Sequence, residues 1–151
     1  LHPDKTRLVS FRRPPKGQRG KGPNTFDFLG FTHLWKRNRN GYWFMVTRTR
    51  ASSLQKAKKA IYERCRRQRH FPVEDQHAAL VRQIRGHIGY FGVRGNESQL
   101  KSLVDYTTRS WRKWLIEEAK DQACHGIGFF ALLKDYPLPA PRAHMSLWVA
   151  L

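Results

Sequence analysis

LVRQIRGHIGYFGVRGNESQL, residues 80–100, sets four glycines, at 86, 89, 92 and 95, among apolar residues at helical spacing. Leu80, Ile84, Ile88 and Phe91 recur every three or four positions, which lines one face of a helix. Gly92 and Gly95 follow where the period stops and suit the positive φ angles of a chain leaving one helix for another. Asn96, with Gln99 three residues on, predicts the cap of a third helix. Gly86 and Gly89 imitate the GxxG clamp of KH domains, but they lie within a helical period, on its polar side beside Arg82 and Arg85. Each costs about 1 kcal/mol relative to alanine inside a helix, so close approach of another helix or of an RNA backbone is expected to compensate. The stretch reads as helix, turn and helix start.

Working outward, Leu100, Leu103, Val104, Thr107, Trp111, Trp114 and Leu115 line one side of the third helix, with Arg109, Arg112 and Lys113 on the far side. Upstream, Pro72 stops a preceding pattern, and Glu74 and Asp75 suit the positive first turn of a helix over about 74–91. Before it, a capping box at Ser52 and Gln55 and the stripe Leu54, Ala57, Ile61, Cys65 predict a helix over about 53–69. Its opposite face carries Lys56, Lys59, Arg66 and Arg67. Two aromatic-rich runs, about 26–36 and 42–48, predict strands joined at Asn40-Gly41, a dipeptide suited to a tight hairpin. Residues 10–24, SFRRPPKGQRGKGPN, read as a solvated loop, and a short helix over about 127–134 precedes PLPAPRAH, whose prolines forbid more helix. The predicted fold is α+β, an N-terminal β-hairpin joined to a bundle of three principal helices. Its divisions fall at 1–48, 49–136 and a Pro-rich tail, 137–151.

The chain has 151 residues, and its 29 Lys and Arg against 11 Asp and Glu give a formal net charge of +18, which points to a polyanionic partner. With 40% hydrophobic residues it has the material to fold rather than remain a basic tail. No stretch has the apolar length of a membrane span or signal peptide, so neither secretion nor a membrane partner is expected. Cys65 and Cys124 lack companions at zinc spacing and read as reduced thiols. The acids are scattered; the adjacent pairs Glu74-Asp75 and Glu117-Glu118 read as helix-terminal or surface charge. No residue is assigned a catalytic or metal-binding role. The basic helix faces read as phosphate-binding surface and the two tryptophans of the third helix as core.

The ordered set LHPDKTRLVSF, TFDFLGF, the hairpin, LVRQIRGHIGYFGVRGNESQL, RSWRKWL and PLPAPRAH resembles the C-terminal part of group II intron reverse transcriptase/maturases. The resemblance spans nearly the whole chain. It implies that residues 1–48 end a palm, with Lys5 near an incoming nucleotide and Phe28, Leu29 and Gly30 at the primer grip. It further implies that the helices form the thumb, or maturase-specific domain. The implied partners are group II intron RNA and, in a full-length parent, a template-primer duplex. The implied role is intron splicing and, in that parent, RNA-directed DNA synthesis. The family's Tyr-x-Asp-Asp motif and its Mg²⁺ ions would belong to segments upstream of Leu1, so this chain alone is not expected to polymerise and no cofactor is assigned to it. The expected location is a ribonucleoprotein of a bacterial cytoplasm or an organelle.

On this reading the RNA-binding set is Lys56, Lys59, Arg66, Arg67, Arg82, Arg85, Arg94, Arg109, Arg112 and Lys113. The contrasting readings are a non-catalytic, architectural RNA-binding protein and a defunct, truncated copy.

Overall fold

The computed structural model describes residues 9–18, 25–121 and 128–144. They form three strands, β1 (Phe26–Phe28), β2 (Phe31–Arg37) and β3 (Trp43–Thr49), followed by α1 (Ala51–Arg67), α2 (Val73–Phe91), α3 (Glu97–Asp121) and α4 (Phe129–Asp135). The fold is α+β. The sheet is an antiparallel meander in the order β1-β2-β3, with Phe28 opposite Phe31 and Arg37 opposite Trp43.

The run predicted as one strand over 26–36 is therefore two. Leu29 and Gly30 carry φ angles of 47° and 80°, the left-handed pair of a two-residue hairpin turn. Leucine rarely adopts this conformation, so residue 29 itself carries no turn signal, although the resemblance implies a primer-grip turn at 28–30. Tertiary contacts hold it: Tyr90 donates its hydroxyl to the Leu29 carbonyl at 2.9 Å, and Arg50 N–H donates to Gly30 O at 2.8 Å. The second turn also differs from expectation. Only Gly41 has positive φ, and Asn38 N–H donates to Tyr42 O across a three-residue loop, 39–41. The Asn38 side chain accepts from Tyr42 N–H and completes it.

α1 begins at Ala51, after β3, and Arg50 occupies its N-cap with no side-chain capping bond, its guanidinium pairing instead with Asp27 at 3.0 Å. Ser52 is thus inside the first turn and forms no capping box. Asn96 does precede α3, but its fully buried amide is used elsewhere. Oδ1 accepts from Thr49 N–H at 2.8 Å, while Nδ2 donates to Thr49 Oγ1 at 2.7 Å and to Phe91 O at 2.8 Å. One side chain thereby joins the end of β3, the end of α2 and the start of α3.

The helical core gathers Leu54, Ile61 and Cys65 of α1, Leu80 of α2, and Leu103 and Trp111 of α3. Burial pushes the Cys65 thiol up to about 12, which makes it an inert apolar filler. Trp111 is fully buried and donates its indole N–H to Gln76 Oε1 at 3.0 Å. Gln76 in turn donates to Phe71 O and Arg69 O, so the buried amide is satisfied. Trp114 and α4 residues Phe129, Leu132 and Leu133 pack against this cluster. Cys124 lies outside the described residues.

Three further expectations change, and the Pro-rich tail, free of helix as expected where it is described, takes a defined course. The 10–24 loop is anchored where it is described: Phe11 stacks on Trp35 at 5.3 Å and meets Phe26 edge-on at 4.7 Å, and Pro14 is buried. Residues 137–144 of the Pro-rich tail return along α2. His77 donates from Nε2 to Pro137 O at 2.9 Å near its start, and His144 N–H donates to Gly92 O at 2.8 Å near its end. Gly92 has φ −75°, not a positive angle, and a Cβ there would lie 2.5 Å from the His144 ring; it is needed for space. Gly95, at φ +93°, does need its conformational freedom. Finally, Glu118 is not surface charge: it is buried and pairs with His70 Nδ1 at 2.7 Å and Arg69 Nε at 3.7 Å.

Two stability predictions follow from this packing. Asn96→Ala strands the buried Thr49 N–H and removes all three bonds, and is expected to destabilise the fold by about 3 kcal/mol in chemical denaturation. Burial holds His33 and His87 below the ordinary imidazole value, Asp27 opposing the shift at His33. Burial favours the neutral ring in the folded state, so its contribution is present above the unfolded value of about 6.5 and is lost as pH falls through the lowered folded value. The denaturation midpoint is expected to fall between pH 7 and 5, and less steeply in His87→Gln.

Candidate nucleic-acid interface

Short connections make α2 antiparallel to both its neighbours, which leaves α1 and α3 running parallel side by side. Their contacts advance together along both helices. Lys58 Nζ donates to Ser102 Oγ at 3.0 Å, Lys113 Nζ donates to Tyr62 OH at 3.0 Å, and Arg69 reaches Glu118. Along this seam the cations rest on aromatic rings. Lys58 lies 5.5 Å from the Tyr106 ring centre, Lys113 lies 5.2 Å from both Tyr62 and Trp114, and Arg69 lies 5.6 Å from Trp114.

A ring orders an ammonium group without cancelling its charge, whereas a carboxylate would do both. The Tyr62 hydrogen bond raises the Lys113 pKa, so the ammonium form is held firmly. The seam is thus a row of oriented positive charges with aromatic rings, two phenols and an indole, between them. Unpaired bases stack on such rings and phosphates pair with such cations. Three carboxylates offset part of the charge: Glu63, 3.9 Å from Arg66, Glu118, 3.7 Å from Arg69, and Glu117, which acts on Lys113.

All ten predicted RNA-binding residues are exposed, but they do not share one surface. By helical angle, Lys59 and Arg66 border the seam from α1 and Arg109 and Lys113 border it from α3. Lys56 and Arg67 point farther round α1. Arg82 and Arg85 lie on the outer face of α2, away from the sides that meet Arg64 and Trp111 through Gln83 and Gln76. Arg112 turns toward α4, with its guanidinium 5.9 Å and 5.7 Å from the Phe129 and Phe130 rings. Arg94 sits in the connection between α2 and α3. Phe28 and Leu29 are 60% and 66% exposed at the first hairpin tip, with Gly30 set against the Phe91 ring. Lys5 lies outside the described residues.

Among the described residues no helix approaches Gly86 or Gly89. A Cβ on either would meet nothing within 4 Å, so the expected helix contact is absent and their bare backbone faces solvent next to Arg82 and Arg85. Sequence reasoning also missed Lys58, Tyr62 and Tyr106. Their signal was available: Lys58 and Tyr62 are four apart, and Ser102, Tyr106 and Lys113 step along one helix face. Among the described residues no group of three or more His, Cys, Asp or Glu side chains is placed to hold a metal ion. Nor is any helix among them long and apolar enough to cross a membrane.

Comparison with protein-family models, curated proteins and solved structures finds no match to this chain.

The seam makes an exacting salt prediction. Changing Lys59, Arg109 and Lys113 together to glutamine is expected to leave the circular dichroism unchanged. The same change should flatten the slope of log affinity against log salt for duplex RNA by roughly 2 to 3, about 0.9 per phosphate contact removed. Lys56→Gln with Arg67→Gln is expected to change that slope by less than about 1.

Proposed function

We propose that this chain binds structured RNA through the α1/α3 seam, as the thumb or maturase segment of a group II intron reverse transcriptase. The observation that supports this most is the row Lys58, Lys113 and Arg69 held over Tyr106, Tyr62 and Trp114. A row of cations fixed on a rigid helix pair recognises the spacing of phosphates along an RNA groove, while a flexible basic tail recognises only their density. The net charge of +18 supplies long-range attraction, and the seam supplies register.

In this reading the segment assists intron folding by bracing RNA helices, and no residue of it performs a covalent step. Within a longer parent it also steadies a template-primer duplex, with the first hairpin tip, Phe28 to Gly30, beside the primer end. The Leu29-Gly30 turn is tied to α2 through Tyr90 and to the start of α1 through Arg50, so a load on the tip passes directly to the helices. The carboxylates and Mg²⁺ of polymerisation would come from other parts of such a parent. The working location is a ribonucleoprotein in a bacterial cytoplasm or an organelle.

Competition separates this proposal from architectural binding. A group II intron RNA is expected to displace an unrelated structured RNA of equal length at about one-tenth the competitor concentration or less, a gap of about 1.4 kcal/mol. Equal competition by the two RNAs would favour an architectural binder and contradict the maturase role.

A further inference from the structure

A second site lies away from the helices, where the N-terminal arm crosses the far end of the sheet. Arg13, Pro14, Lys16, Tyr42 and Trp43 line a half-open cavity of about 330 Å³. That volume falls within the range of small-ligand clefts, about 300 to 1,000 Å³. The arm that forms one wall is fixed rather than loose. Phe11 stacks on Trp35, Gln18 N–H donates to Pro15 O in a turn with Gly17 at φ +84°, and Arg37 donates to Gln18 O at 3.2 Å.

The lining has three kinds of chemistry in one place. Arg13 and Lys16 are exposed cations, and no ion pair engages either among the described residues. Lys16 is oriented by Tyr42, to whose hydroxyl it donates at 2.9 Å while lying 4.5 Å from the ring centre. Tyr42 itself is 45% exposed and offers a flat ring. Trp43 is only 4% exposed, and its indole Nε1 is buried without a hydrogen-bond acceptor among the described residues. A buried N–H normally has a partner; the indoles of Trp35 and Trp114 also lack one among the described residues, but Trp43 is the one of the three that lines this cavity.

Two cations beside a flat ring and an unused N–H donor match one ligand class: a phosphate joined to a planar heterocycle that carries ring acceptors. We infer that the Arg13, Lys16, Tyr42 and Trp43 cavity binds a single unpaired nucleotide of an RNA strand. Arg13 and Lys16 take the phosphate, Tyr42 stacks on the base, and the Trp43 indole donates to a ring nitrogen or carbonyl at the base edge. The inference rests on the RNA-binding reading only for the source of the nucleotide. A strand engaged on the seam would then have a second, separate anchor on the sheet.

The test uses the full chain labelled with ¹⁵N-tryptophan, whose Trp43 indole N–H resonance is assigned by its loss in Trp43→Phe. Titration with 5′-AMP is expected to move that resonance to saturation. Phenyl phosphate, which has an anion and a flat ring but no base acceptor, is expected to bind at least about tenfold more weakly, as is AMP to Lys16→Gln or Tyr42→Leu. The Lys59, Arg109 and Lys113 triple variant is expected to bind AMP as the parent does. A Trp43 resonance that does not move, equal binding of phenyl phosphate, or unchanged affinity in both Lys16→Gln and Tyr42→Leu would each overturn the inference. If those results came with intact seam-dependent RNA binding, the pocket would fail and the seam reading would stand.

Discussion

Everything in this fold is arranged around the side chain of Asn96. Its amide satisfies both the N–H and the hydroxyl of Thr49 and the terminal carbonyl of α2, all out of water. A buried amide that meets three partners in two elements leaves little freedom between them. Because β3 runs into α1 through the single residue Arg50, fixing Thr49 also fixes where α1 begins. Because Asn96 stands immediately before Glu97, the same bonds fix where α3 begins.

That pin explains the functional geometry. α1 and α3 start from one locked point and run parallel, so cations and rings placed at compatible steps on the two helices come together as a seam. Lys58 meets Tyr106, Lys113 meets Tyr62, and Arg69 meets Trp114 only in this register. The buried contacts below the seam, Trp111 on Gln76 and Glu118 on Arg69 and His70, hold the far end in the same register. At the sheet end, Tyr90 and Arg50 tie the strained Leu29-Gly30 turn to the same assembly. The arm and the second hairpin meet at the opposite end of the sheet, where the Trp43 cavity opens.

The periodic elements were legible in the chain and the tertiary choices were not. Leu54, Ile61 and Cys65, or Leu100, Leu103 and Trp111, repeat at steps that no strand accommodates, so the helices and their buried faces read correctly. The Leu29 turn did not, because leucine at positive φ is held by Tyr90, sixty-one residues away. Asn96 carried the signature of a cap, and its position is that of one, yet a distant backbone N–H competed for its oxygen. Gly86 and Gly89 read as a place for close approach of a helix or of an RNA backbone, and no helix among the described residues meets them, while Gly92 read as a turn residue and proved to be a space for His144. For the candidate site, charge pointed to a class of partner but not to a surface. Exposure made ten cations equivalent in sequence, and only the α1/α3 register separated those that lie together from those that do not.

The most direct measurement of the central claim is ultraviolet crosslinking of bound group II intron RNA, with the crosslinked residues located by mass spectrometry. The account predicts nucleotide adducts on Tyr62 and Tyr106, the rings that alternate with Lys58 and Lys113 along the seam. Adducts confined to α2 around Arg82 to Tyr90, with none on the α1 and α3 peptides, would contradict it.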